Sequence, residues 1–301
     1  MTTFLITGAS GFVGRHLIHE VERRGDTVWA LDRSTDVRSD EFGDEVRRLR
    51  PDVVIHLAAL SSVADSWSQR EEFEDVNVRG TQRVLEALAR YRPDSRCLVV
   101  SSAEVYGVVT PDDVPLAESA PLRPANPYAE SKARAEDVAR GFVDELDVII
   151  LRPFTHTGPG QSTRFVVPAL ASRLLKTREL GESEIAVGDL RARRDFSDVR
   201  DVVRAYLDVA HRGRPGATYN VSSDVDRSIG EIADQLRLMI APGVAFRTDA
   251  SLLRPLETPI LVGDSSALRE ATGWQPSVEW SRTLRDVVED LQRRRVGLDP
   301  D

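Results

Sequence analysis

Cysteine is almost missing from this chain. Cys97 is the single one, so no intrachain disulfide can form, and its place in the apolar run Cys97-Leu98-Val99-Val100 marks it as a small core residue. Metal-ligand spacing is missing too: the 5 histidines are scattered, no metal site is expected, and His16, His19 and His56 read as structural or surface residues. No apolar run is long enough to span a bilayer, and Met1-Thr2-Thr3 leads straight into a strand with no signal-peptide pattern, so the expectation is a soluble, cytoplasmic protein. Positive charge is in deficit. With 40 Lys and Arg against 49 Asp and Glu the net charge is −9, which speaks against nucleic acid or an anionic membrane as a partner. Repeats and low-complexity segments are absent as well. What remains is a 301-residue chain, 41% hydrophobic, large enough for one big domain or two smaller ones sharing an interface.

Phe4-Leu5-Ile6 is a short apolar strand that runs into Gly8-Ala9-Ser10-Gly11-Phe12-Val13-Gly14, and a helical pattern follows through Arg24. Glycines at this spacing let a backbone approach closely, and the helix amino terminus behind them offers N–H groups to a pyrophosphate. The next strand, 27–31, ends at Asp32, where a dinucleotide fold places the acid that bonds the adenosine ribose. Asp32 favours NAD, because a carboxylate repels a 2′-phosphate. The adjacent Arg33 could pair with that phosphate and admit NADP, or be a solvated loop charge. The strand 52–59 ends in Ala58-Ala59, small enough for a cofactor to lie against it. A helix from Asn77 to about Tyr91, the strand at 97–100, a helix opened by Asn126-Pro127 and the strand 147–151 complete an alternation that predicts an α/β fold: a doubly wound parallel sheet with ligands at the carboxyl ends of its strands.

Two residues of the stretch 101–132 sit where chemistry would be done. Ser102 follows the apolar run, at a strand's carboxyl end. Tyr128 and Lys132 are four apart, on one face of a helix. A phenol beside an ammonium has its pKa drawn down from about 10, so it can exchange a proton with a sugar oxygen near neutral pH, while the Ser102 hydroxyl holds the same oxygen. Alone, Tyr-x-x-x-Lys is common by chance; the glycine turn and the sheet around it give it weight.

After Arg152 the pattern changes to loop chemistry, Arg152-Pro-Phe-Thr-His-Thr-Gly-Pro-Gly-Gln161, then a helix from about Phe165 to Lys176. Arg191, Arg193 and Arg194 cluster in an otherwise acidic protein: either a solvated loop or a clamp for a diphosphate. A helix over 198–210, a further strand over 218–221, a capping box at Ser228 and Glu231 and a last helix near 280–295 leave a small mixed C-terminal domain. The expected division is residues 1–155 and 194–223 for the dinucleotide and residues 156–193 and 224–301 for the substrate.

Assembled, these residues resemble the extended short-chain dehydrogenase/reductase family, the NAD-dependent epimerases and dehydratases of nucleotide sugars. The carrying segments are GASGFVG at 8–14, HLAA at 56–59, SSAEVYG at 101–107, PYAESK at 127–132 and RRDFSDVRDVV at 193–203. The resemblance implies a Rossmann domain with a smaller α/β substrate domain, a catalytic set of Ser102, Tyr128 and Lys132, and NAD(H) or NADP(H) as cofactor. It assigns Gly8, Gly11, Phe12, Val13, Gly14, Asp32, Arg33, Leu57, Ala58, Ala59 and Pro153, with Tyr128 and Lys132, to that cofactor. It assigns Ser62, Thr155, Gln161, Val166, Arg194 and Arg254 to a nucleotide-diphosphate sugar. Segments such as SSVADSW at 61–67, RPFTHTGPGQS at 152–162 and VGDLRARRDF at 187–196 are most similar to the branch that reduces a GDP-linked 4-keto-6-deoxy-mannose to GDP-rhamnose. A homodimer is also implied, for which the helices near 77–91 and 128–145 could serve, although core packing would explain the same apolar positions.

One position departs from the family. Where its Arg-x-x-Asn pattern puts a sugar-contacting asparagine, this chain has Thr155, which bears on the substrate more than on the chemistry. The nearest rival is a 4,6-dehydratase: Glu104 stands where such enzymes keep their base, but the residue before it is Ala103 rather than the acid of an Asp-Glu pair. A 4-epimerase and a non-catalytic NAD(P)-binding regulator are the remaining alternatives.

Overall fold

The apolar run Phe4-Leu5-Ile6 is buried on both faces in β1 (Thr3–Thr7), as a central strand of a parallel sheet must be. The structure is a computed structural model that describes residues 1–31, 36–252 and 258–295. Asp32, Arg33 and Arg254 therefore lie outside the described residues.

From β1 the chain runs through α1 (Phe12–Arg23), β2 (Thr27–Leu31), α2 (Asp40–Leu49), β3 (Val53–His56), the single turns α3 (Val63–Ser66) and α4 (Arg70–Phe73), a π-helical stretch Glu74–Arg79 and α5 (Gly80–Tyr91). It continues through β4 (Arg96–Val100), a 3₁₀ turn at Ala103–Tyr106, α6 (Pro127–Arg140), β5 (Asp147–Pro153), β6 (Thr155–Thr157), α7 (Val166–Leu180), β7 (Glu184–Val187) and β8 (Arg193–Asp198). Then come α8 (Val199–Arg212), β9 (Thr218–Val221), β10 (Asp226–Ser228), α9 (Ile229–Ile240), β11 (Ala245–Thr248), β12 (Ile260–Leu261), α10 (Ser266–Thr272) and α11 (Trp280–Arg295).

Six strands make one parallel sheet in the order β2-β1-β3-β4-β5-β9. The chain leaves β1 to one side for β2 and returns to the other for β3, so the strand order reverses there and a crevice opens between the loops after β1 and β3. Helices α1, α8 and α10 cover one face through a core that includes Leu17, Val202, Tyr206 and Trp274; α2, α5 and α6 cover the other through Phe42, Val84, Leu88 and Ala139. The doubly wound sheet read from the alternation of elements is thus observed.

A second core collects Leu170, Leu174, Ile185, Ile232, Leu236 and Val287 from α7, β7, α9 and α11. Beside it β8 joins β10, β12 and β6, and β11 pairs with β7.

Several elements differ from expectation. The loop read at 152–161 contains the end of β5 and all of β6, because Thr155, His156 and Thr157 find ladder partners in Phe196, Ser197 and Asp198. The helix expected at 165–176 runs four residues further, to Leu180, and stops at Gly181 in the left-handed conformation. The helix expected to start at Asn77 is continuous with a π-helical stretch from Glu74, in which Asn77 is buried. The helix that carries Tyr128 ends at Arg140, short of 145.

Candidate active site

The glycine turn is built by close approach. Gly8 has a φ of 69°, and a Cβ there would lie 2.8 Å from Ala58 N; a Cβ on Gly14 would lie 2.5 Å from Ala9 O. Only glycine lets the turn after β1 press against the strand end Leu57-Ala58-Ala59. Thr7 Oγ1 accepts from Ala58 N at 3.2 Å and shares a 2.8 Å hydrogen bond with His56 Nδ1, fixing the two strand ends to each other. Gly11 caps α1 with no side-chain acceptor, so the amides of the first turn, at Phe12, Val13 and Gly14, face the crevice without a competing side-chain cap. That cradle of glycine backbone at a helix amino terminus fits the pyrophosphate of a dinucleotide.

At the carboxyl end of the strand beside β3, Ser102 follows β4 and caps the 3₁₀ turn, its Oγ accepting from Glu104 N at 3.2 Å. Asn126 caps α6 through a 2.8 Å bond from Ala129 N, with Pro127 in the first turn, and this presents Tyr128 at the head of the helix. Lys132, one turn on, donates from Nζ to Val100 O at 2.8 Å. The two elements thus meet: the Ser102 hydroxyl hydrogen-bonds toward the Tyr128 phenol, and the lysine reaches the residue two before Ser102. Glu104 accepts from Asn126 Nδ2 at 3.4 Å, close enough to oppose ionisation of Tyr128.

The expected lowering of the Tyr128 pKa by Lys132 is not found. Burial pushes the phenol up to about 12, with the Ser102 hydrogen bond pulling it back and the Glu104 charge adding to the rise. The ammonium is directed at a backbone carbonyl, and burial lowers its own pKa to about 8 against the pull of Glu136. Tyr128 is therefore a protonated phenol at neutral pH, the form that can donate a proton.

The remaining expected residues fall in four places. Pro153 ends β5, buried beside Phe154. Ser62 caps α3, accepting from Asp65 N, and Asp65 in turn receives a 2.7 Å ion pair from Arg164, which draws the loop after β3 toward the start of α7 and Val166. Gln161 is buried, bonded to Thr157 Oγ1 and His156 O, while Thr155 is half-buried on β6 opposite Phe196. The arginine cluster is dispersed: Arg191 pairs with Asp189 and Arg193 with Asp226, and Arg194 on β8 donates to Arg193 O at 2.8 Å.

Two residues passed over as site candidates shape the same region. Asn77 brackets Leu60, accepting from its N at 2.8 Å and donating to its O at 3.0 Å, and donates to Ser131 Oγ at 2.9 Å. It thereby ties the loop after β3 to the helix of Tyr128. A polar residue among the apolar positions 73, 78 and 84–85 was its only signal. Arg152, read as the start of a loop, is buried and paired with Glu136. A cavity of about 710 Å³ lies on the outer side of α6, lined by Arg70, Glu74, Arg79, Glu130 and Arg134 among others. It does not contain Ser102, Tyr128 or Lys132, and its charged, open lining does not suit a nicotinamide ring.

A parallel sheet with a glycine cradle at its switch point and a serine, tyrosine and lysine at the neighbouring strand end defines a dinucleotide-dependent oxidoreductase. The chain belongs to the NAD dependent epimerase/dehydratase family, whose family profile matches residues 4–222. It is accordingly an NAD(P)-dependent enzyme of the extended short-chain dehydrogenase/reductase type. It is 34% identical over 296 residues to GDP-6-deoxy-D-mannose reductase of Pseudomonas aeruginosa, covering 96% of this chain and 97% of that protein. It is 30% identical over 252 residues to dTDP-D-glucose 4,6-dehydratase of Homo sapiens, covering 79% of this chain and 68% of that one. The solved structure of RMD from Pseudomonas aeruginosa complexed with NADPH superposes with a TM-score of 0.89 at 31% identity, covering 98% of this chain and 100% of that chain.

Proposed function

We propose that this enzyme reduces the 4-keto group of a nucleotide-linked 4-keto-6-deoxy sugar, converting GDP-4-keto-6-deoxy-mannose to GDP-rhamnose. The observation that carries the reading is the meeting of Tyr128 and Lys132 at the head of α6 with Ser102 at the carboxyl end of β4, in a chain 34% identical along nearly its full length to a GDP-6-deoxy-D-mannose reductase. The nicotinamide cofactor, when bound, supplies the hydride. Gly8, Gly11 and Gly14 with the amides of Phe12 and Val13 hold its pyrophosphate, Ala58 and Ala59 leave room along the strand end, and Asp32 meets its adenosine ribose.

The work of the chain is on the oxygen. As the carbonyl carbon is reduced, charge builds on the oxygen; the Ser102 hydroxyl holds that oxygen and Tyr128 delivers the proton. Lys132, one turn behind Tyr128, anchors the helix to the end of β4 through Val100 O. Ser62, Thr155, Gln161 and Val166 line the sugar and base side, and Arg194 and Arg254 meet the diphosphate. In this division of labour residues 1–155 and 194–223 serve the dinucleotide and residues 156–193 and 224–301 the nucleotide sugar. The functional unit is a homodimer paired through α5 and α6, working in the cytoplasm, where reduced nicotinamide is regenerated.

The test is a panel of 4-keto-6-deoxy nucleotide sugars offered with NADPH or NADH, followed by loss of nicotinamide absorbance. The GDP-linked keto sugar is expected to be turned over fastest. No turnover of any member would contradict the proposal.

A further inference from the structure

Glu136 is the buried acid left over once Ser102, Tyr128 and Lys132 have been placed. It lies on α6 one turn beyond Lys132, and its side chain is 0% exposed. Donors from three elements meet its two oxygens. Oε1 accepts from Ser101 Oγ, just past β4, at 2.5 Å and from Arg152 Nε, on β5, at 2.9 Å. Oε2 accepts from Arg152 Nη2 and Arg140 Nη2, each at 2.7 Å. Arg152 carries the link onward: Nη1 donates to Tyr106 OH at 2.9 Å and to Glu118 O at 3.0 Å, and the guanidinium lies 5.0 Å from the centre of the Tyr106 ring. Tyr106 OH donates in turn to Asn220 Oδ1 at 2.7 Å.

Ser101 and Tyr106 bracket the segment that carries Ser102. Both are tied to the Glu136–Arg152 pair, whereas Ser102 Oγ accepts only from Glu104 N within that segment. The carboxylate also sits among buried cations. Lys132 donates to Val100 O on β4; its charge is felt by the neutral His56 on β3, and it feels that of Glu136 on its own helix; Arg152 approaches Glu136 from β5. Of these groups Glu136 is the one anion. A buried cation deprived of its counter-charge is strongly disfavoured, so the carboxylate bears on the lysine as well as on the geometry.

We infer that Glu136 is the positioning residue of this active site: it fixes the Ser102 segment, through Ser101 and Arg152, against the helix of Tyr128 and Lys132. The inference rests on the reading of Ser102, Tyr128 and Lys132 as the reacting set. Glu136 has two separable effects, one on the geometry through its length and one on the lysine through its charge.

The chain has 2 lysines, Lys132 and the exposed Lys176, so lysine labelled with ¹³C at Cε gives a spectrum that a Lys176→Arg variant assigns. In the wild type Lys132 is expected to titrate at about 8. In Glu136→Gln it should titrate at lower pH, the alkaline limb of the kcat profile should move down with it, and kcat should fall about tenfold to a hundredfold, as small misplacements of reacting groups do. KM for the nucleotide sugar should change far less. Glu136→Asp keeps the charge but not the reach, so the lysine titration and the limb should return while kcat stays low. Ser101→Ala should lower kcat with the lysine titration unmoved. A Glu136→Gln protein with wild-type kcat overturns the inference. Should that variant not fold, normal kcat in both Glu136→Asp and Ser101→Ala overturns it instead. Tyr128→Phe assayed in parallel separates the two readings: full activity there removes the reacting set itself, while the lysine titration still reports on Glu136.

Discussion

Burial, more than proximity, sets the protonation states at this site. Spacing of four residues puts Tyr128 and Lys132 on one helix face, yet removal from water raises one pKa to about 12 and lowers the other to about 8. A phenol that stays protonated is suited to donate, and Tyr128→Phe should lower kcat by about 100-fold or more while cofactor affinity, measured by fluorescence titration, stays close to wild type. Near-normal turnover would remove Tyr128 from the mechanism. Lys132 carries a stability cost. Its folded pKa of about 8 lies below the 10.5 of the free side chain, so folding expels its proton between those values. The cost is therefore full below about pH 8 and disappears as pH rises toward 10.5. Lys132→Met, inactive, should be more stable than wild type at pH 7 by about 1–3 kcal/mol, the pKa displacement less the lost bond to Val100. That gain should vanish near pH 10.5, and urea denaturation at the two pH values checks both.

At the scale of elements, what was legible in the sequence was local. The glycine turn, the apolar run before Ser102 and the Asn126-Pro127 start of α6 each depend on a few adjacent residues, and each appears where it was expected. Elements that depend on distant partners were not legible. Strand β6 exists because β8 lies beside it, and Asn77 is buried in a π-helical stretch because Leu60 and Ser131 complete its hydrogen bonds. The arginines at 191, 193 and 194 look alike in sequence; only the fold gives the first two to Asp189 and Asp226. On the proposed reading, β8 delivers Arg194 to the diphosphate. Arg194→Ala should then raise KM for the nucleotide sugar about ten- to a hundredfold, with kcat changed less because the contact is present in both ground and transition states. Calorimetric binding of free GDP checks it; unchanged affinity would make Arg194 a structural residue of the strand.

For the whole molecule, the chain is similar in sequence both to a reductase and to a dehydratase, so the architecture constrains the reaction less than the site does. On the proposed reading, Asp32 makes NADH bind at least as tightly as NADPH, and Arg33→Ala should weaken NADPH more than NADH. Much tighter binding of NADPH by the wild type would reverse the weight given to Asp32. The direction of hydride transfer decides the rest. NADPH carrying deuterium at the transferable position, incubated with GDP-4-keto-6-deoxy-mannose, should yield GDP-rhamnose with one deuterium at carbon 4 of the sugar and one equivalent of oxidised cofactor. A product formed from GDP-mannose with catalytic NAD and no net change in cofactor, together with no deuterium at carbon 4 from the keto sugar, would contradict the account.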